Sequence, residues 1–191
     1  MKTSDQISKI KATLLYILNH FPQGVDYIKL FKILYFAQQD HLVKYARPIV
    51  EDSFCALKHG PVPSFTYKAL QYAEGKFPIT EDINNFLNGI EVTRTSDNIN
   101  VKASIASDLD ELSISDRKCL DTSIAKNKDI NSYDLSDLSH NEAWEEAYSR
   151  AQDDPEKNKM TLLDIAKSGH ANKEMLDIIR EHQLIKRSYL A

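Results

Sequence analysis

The stretch KLFKILYFAQQDHL, Lys29 to Leu42, constrains the fold of this chain more than any other. Set at about 100° per residue, Tyr27, Leu30, Phe31, Ile33, Leu34, Ala37 and Leu42 fill one broad arc, with Lys29, Lys32, Gln39 and Asp40 opposite. So wide an apolar arc needs cover from several sides, which predicts a central helix and not a surface one. Two residues break the pattern: His41 falls inside the apolar arc, and Phe36 falls among the polar residues.

The flanking segments can supply that cover. Thr3 and Gln6 form a capping box ahead of a first helix reaching about His20, and Asp26 is placed to cap the central helix. Asp52 to His59 reads as a short strand. His59-Gly60-Pro61-Val62-Pro63 reads as a stiff turn, because two prolines fix φ and Gly60 admits positive φ. Ser64 is expected to cap a helix ending at Gly75, with a short helix from Thr80 to Asn88 after it. Ile90–Arg94 and Ile99–Ala103 alternate with period two around Ser96-Asp97-Asn98, a hairpin pattern. A lone hairpin is marginal, so the strand near 54–58 is expected to join it. Another helix is expected from about Ser115 to Lys126. After a Ser132 to Leu138 turn, Ser139 and Glu142 form a second capping box that launches a helix carrying Trp144.

The predicted fold is therefore α+β and predominantly helical, a central hydrophobic helix surrounded by helices with a small antiparallel sheet. Residues 1–152 form the expected domain. Beyond a hinge at Asp153-Asp154-Pro155-Glu156, residues 153–191 form a helical extension that contacts a partner or packs back.

Function classes narrow in the same way. The net charge of −4 argues against a protein whose main task is gripping nucleic acid. No apolar run approaches the roughly 18 residues of a membrane span, Met1-Lys2-Thr3 opens no signal peptide, and Cys55 and Cys119 form no CxxC pair, so a cytoplasmic location is expected. No histidine or cysteine set has metal-ligand spacing, and no GxSxG, Walker or GxGxxG motif occurs, so no catalytic residue, metal or cofactor is assigned. The runner-up readings are a small hydrolase using His59 with Cys55 or His140, and a nucleic-acid-binding regulator of its own operon. An exposed Phe36 flanked by Lys29, Lys32 and Gln39 has the look of a protein-binding anchor. His140 and Trp144 share one helical arc, and Tyr189 and Leu190 in the tail are further candidates to order on a partner.

Four segments together resemble the Panacea (SocA-like) antitoxin domain. KLFKILYFA (Lys29 to Ala37) with Asp40-His41-Leu42 resembles its signature, and Pro48 to Phe54 its lead into a first strand. Gly60-Pro61-Val62 resembles its Gly-Pro-Val turn, and Leu138-Ser139-His140 with Trp144 its closing segment. The resemblance runs from about Val25 to Tyr148. Phe31 stands where a polar residue is expected, and Asp153 onward matches nothing in the pattern. The resemblance implies a non-enzymatic protein that neutralises a neighbouring gene's toxin by direct binding, either masking it or presenting it to a cellular protease.

Overall fold

The computed structural model describes residues 2–78, 80–94 and 99–188. Helix α2 (Tyr27–Tyr45) runs through the middle, capped by the Asp26 carboxylate, which accepts from Lys29 N at 3.0 Å. It packs most extensively on α5 (Ile114–Asn127), with α1 (Ser4–Leu18), α6 (Ser132–Leu138) and α8 (Leu162–Ser168) around it. Leu30, Ile33, Leu34, Ala37 and Leu42 have no exposed surface. The Thr3–Gln6 capping box starts α1 as expected. The class is the predicted one, α+β and mainly helical, and no helix among the described residues is long and apolar enough to cross a membrane.

The strands pair differently from expectation. The hairpin of β4 (Ile90–Arg94) and β5 (Ile99–Ala103) forms, but its third strand is β1 (Val25–Asp26), in the order β1-β5-β4. Its turn at 96–98 lies outside the described residues. The strand near 54–58 is β2 (Phe54–Leu57), and it pairs with β3 (Gly60–Pro63), the segment read as a turn. Proline is tolerated in β3 because of register. Ala56, opposite Pro61, sends its N–H away from β3 to Asn158 O at 2.8 Å, and Phe54, opposite Pro63, offers its carbonyl to Met160 N at 2.9 Å. The two prolines thus occupy ladder positions that require no N–H.

Two expected helix caps are replaced. Helix α3 (Ser64–Ala73), followed by the short α4 (Glu81–Leu87), receives no side-chain cap from its own start. Buried Asp52 caps it from across the chain, accepting from Phe65 N at 3.0 Å, Thr66 N at 2.9 Å and Thr66 Oγ1 at 2.8 Å. The Ser132 to Leu138 turn is the helix α6, and Ser139 ends it, its hydroxyl donating back to Ser136 O at 2.6 Å. Asn141 therefore caps α7 (Glu142–Asp153).

The expected hinge is a 3-10 turn, Pro155–Lys157, followed by a segment bonded along β2 and then by α8 and α9 (Lys173–Ser188). Met160, Ile165, Ala166 and Ile179 from this part join the same core as α2.

Candidate functional site

Three segments distant in sequence meet on one flank of α2. Lys32, read from the wheel as solvent-facing, is 1% exposed, because the β2–β3 hairpin lies over it. Its ammonium donates to Pro61 O at 2.9 Å. Gly60 has φ +88, and a Cβ there would lie 2.2 Å from Ser139 Oγ and 2.7 Å from Lys32 Cε, so only glycine lets the hairpin, α2 and the α6–α7 corner close together. Asn141 Nδ2 donates to the buried Tyr35 hydroxyl at 2.8 Å, and Trp144 Nε1 donates to Leu57 O at 2.9 Å. Each of the three segments is therefore bonded to another.

The chemistry of this corner is aromatic and basic. His140 stacks on Trp144 with ring centroids 3.8 Å apart, and Trp144 stacks on Tyr148 at 4.6 Å. Burial lowers the His140 pKa, with Lys32 and His59 acting in the same direction against Asp137, and its buried Nε2 finds no hydrogen-bond partner among the described residues. Burial also pushes the Lys32 ammonium down to about 7, against a smaller pull upward from Asp26. Exposed His59, at the hairpin turn, meets the edge of Tyr133, which is 68% exposed on α6. Leu138, at the end of the same helix, is 61% exposed.

Beside Lys32 opens a cleft of about 310 Å³, walled by Tyr27, Phe31, Leu57, Val62 and Tyr67. Tyr27 stacks on Phe31 at 5.5 Å, and Tyr67 sets its edge against both. The rings hold one another in place.

The remaining candidates separate. Lys29 is half-buried and donates to Lys128 O at 3.0 Å. Gln39 is half-buried and bonded to Ser168 Oγ at 3.0 Å. Phe36 is half-buried against the core, not exposed, and lines a second groove of about 250 Å³ with Gln39, Asp40, Val43 and Gly169. The Lys29–Gln39 face is thus covered by α5, the hairpin and α8 instead of standing free. Tyr189 and Leu190 lie outside the described residues. His41 is fully buried: Nδ1 donates to Arg47 O at 2.7 Å, leaving Nε2 3.1 Å from Asp116 Oδ1 and 3.2 Å from Ser115 Oγ. With Nδ1 so engaged, Nε2 donates to Asp116 only when the ring carries two protons. Lys9 holds the other Asp116 oxygen at 2.9 Å. This cluster ties α1, α2 and α5 together.

For the hydrolase reading, burial pushes the Cys55 thiol up, and Cys119 is pushed up to about 12 by burial and by Asp40, so neither is poised as a thiolate. No group of three metal-holding side chains occurs among the described residues. The sequence reading missed Tyr35, because its bond to Asn141 exists only once the segments meet, and it gave Gly60 and Ser139 turn and cap roles without their contact with each other across the corner. A family model described as antitoxin SocA-like, Panacea domain, matches residues 30–145, which contain Lys32, the β2–β3 hairpin, α6, His140 and Trp144 but not Tyr148. No curated protein and no solved structure matches.

Proposed function

The chain belongs to the SocA-like Panacea antitoxin family, and from that premise we propose that it neutralises a cognate toxin by direct protein–protein binding at the corner of α2, the β2–β3 hairpin and α6–α7. The observation that carries this reading is the corner itself, most of which lies within the family match, where buried polar bonds fix the segments and large apolar side chains remain at the surface. Exposed Tyr133 and Leu138, with half-buried Trp144 and His140, have the composition of an interface centre, in which aromatic residues dominate binding energy. Phe36 and Gln39 in the second groove form a subsidiary contact. The net charge of −4 suits a basic toxin through steering. Family membership speaks for a non-enzymatic role.

The test is co-expression with the product of the adjacent gene. The expected result is toxicity of that product alone, growth rescue by this protein, and co-purification of the two. Tyr133→Glu combined with Leu138→Glu is expected to abolish rescue and co-purification while leaving the melting temperature within a few degrees, since both side chains are exposed. A neighbour that is harmless alone, or that never co-purifies, refutes the reading. Rescue that persists in a protease-deficient host identifies masking; rescue lost there identifies delivery to a protease.

A further inference from the structure

The cleft beside Lys32 has an unusual charge pattern for an acidic protein. Its ionisable lining consists of Lys32, Lys58 and His59 with its tyrosines, and none of the described residues that line it is acidic. The carboxylates nearest its walls are already engaged. Glu74, whose side chain is fully buried, accepts from the Tyr27 hydroxyl at 2.9 Å and pairs with Lys76 at 3.2 Å and Arg94 at 3.3 Å. Asp26 caps α2 through one oxygen and accepts from the Ser132 hydroxyl through the other. An ammonium has three donors, and among the described residues Lys32 uses one, on Pro61 O. The groups facing it are Asp26 from β1, His140 from the α6–α7 corner and the Pro61 carbonyl from β3.

We propose that this cleft seats one large apolar side chain of the bound toxin, with an adjacent aspartate or glutamate of the toxin facing exposed Lys58 and His59 and lying in the field of the buried Lys32 ammonium. The proposal rests on the toxin-binding reading and deepens it by naming the chemistry of the contact. The volume of about 310 Å³ stands at the small end of binding sites, room for one anchor residue and its neighbour and not for a helix. The apolar walls supply the driving force, and the three basic groups select the flanking acid over an amide or a base. A cationic occupant is disfavoured on two counts. The basic rim repels it, and the three rings already turn faces and edges to one another.

The test does not need the toxin. Purified protein is panned against a random-peptide phage library, and the selected peptides are synthesised. Peptides pairing a large apolar residue with Asp or Glu are expected. Their dissociation constant is expected to rise about tenfold between pH 6 and pH 8, because Lys32 loses its proton around pH 7. Lys32→Met is expected to diminish that dependence. Lys58→Glu, at an exposed position that cannot disturb the core, is expected to weaken binding at every pH. Enrichment of Lys- or Arg-rich peptides, no enrichment at all, a pH profile unchanged in Lys32→Met, or full binding by Lys58→Glu each overturns the proposal. The two readings fail separately. Selected peptides with no toxin rescue leave the cleft and remove the toxin; rescue that survives Lys58→Glu at full strength keeps the toxin and removes the cleft.

Discussion

Replacing Lys32 by methionine should make this protein more stable, and the size of the gain follows from the burial of the ammonium. Lys32 is held down to about 7 from an ordinary 10.5. At about 1.4 kcal/mol per tenfold, keeping it charged in the folded protein at pH 6 costs roughly 4–5 kcal/mol. Below pH 7 the folded and unfolded chains both carry the proton, so that cost is present in full. Between 7 and 10.5 the unfolded chain still binds a proton that the folded chain has lost, so the wild type gains stability as pH rises. Above 10.5 the cost is gone. Methionine matches the aliphatic stem, ending one heavy atom short, and removes the charge, but it leaves Pro61 O without its donor, a loss of about 1–3 kcal/mol. The net expectation at pH 6 is a gain of about 2–3 kcal/mol, or about 5–10 °C in melting temperature for a chain of this size. Thermal melts of both proteins from pH 6 to pH 10 provide the assay. Groups common to the two cancel in the difference, which should shrink with pH and reverse near about pH 9. A variant less stable than wild type at pH 6, or a difference independent of pH, refutes the reasoning. A stabilised variant that no longer rescues growth would show that the lysine is kept for binding at the expense of stability.

Other perturbations test the scaffold. Asp52→Ala strips three donors at the start of α3 of their acceptor and should cost about 3 kcal/mol, combining a lost cap with buried unpaired groups. Ser64→Ala, at the residue that sequence alone nominates as the cap, should change stability by less than about 0.5 kcal/mol, because Ser64 caps nothing; urea titration of the two variants beside the wild type checks both values. Burial raises the Asp116 pKa, but His41, Lys9 and Ser113 outweigh it and hold the carboxyl well below the usual range. The stability this contributes is present above about pH 4 and lost as pH falls further. Asp116→Asn should flatten that acid limb and cost about 3 kcal/mol at neutral pH, read by unfolding at pH 2–7.

Much of the architecture was legible because its signals are local. The apolar arc of α2, the Thr3–Gln6 box, the Asp26 cap and the alternation in β4 and β5 all depend on residues within a few positions of one another. What escaped depends on pairing. Two prolines in four residues speak against a strand until the partner register shows that neither position needs an N–H. A wheel assigns Lys32 to the polar side because it cannot know that a hairpin 29 residues away lies over that side. His41 appears misplaced until its ring is seen bonding the chain just beyond the helix, at Arg47, and α5 at Ser115. At the candidate site the family pattern pointed to Gly60, Ser139 and Trp144, and the geometry supplies the reason: one is too small to clash, one ends a helix, and one bonds the hairpin.

The bonds that close the corner also set when it can exist. Asn141 and Tyr35 are 106 residues apart, Trp144 and Leu57 are 87 apart, and along its outer side β2 is bonded by residues 158 and 160. Contacts of such long sequence separation form late, after the loop-closure entropy has been overcome. At the usual pace of synthesis of about 5–20 residues per second, Tyr35 waits roughly 5–20 s for Asn141 to be made. The hairpin waits longer still for its outer neighbour. A nascent chain, or one cut before Asn141, therefore presents α2 without the corner that Asn141 and Trp144 close on it.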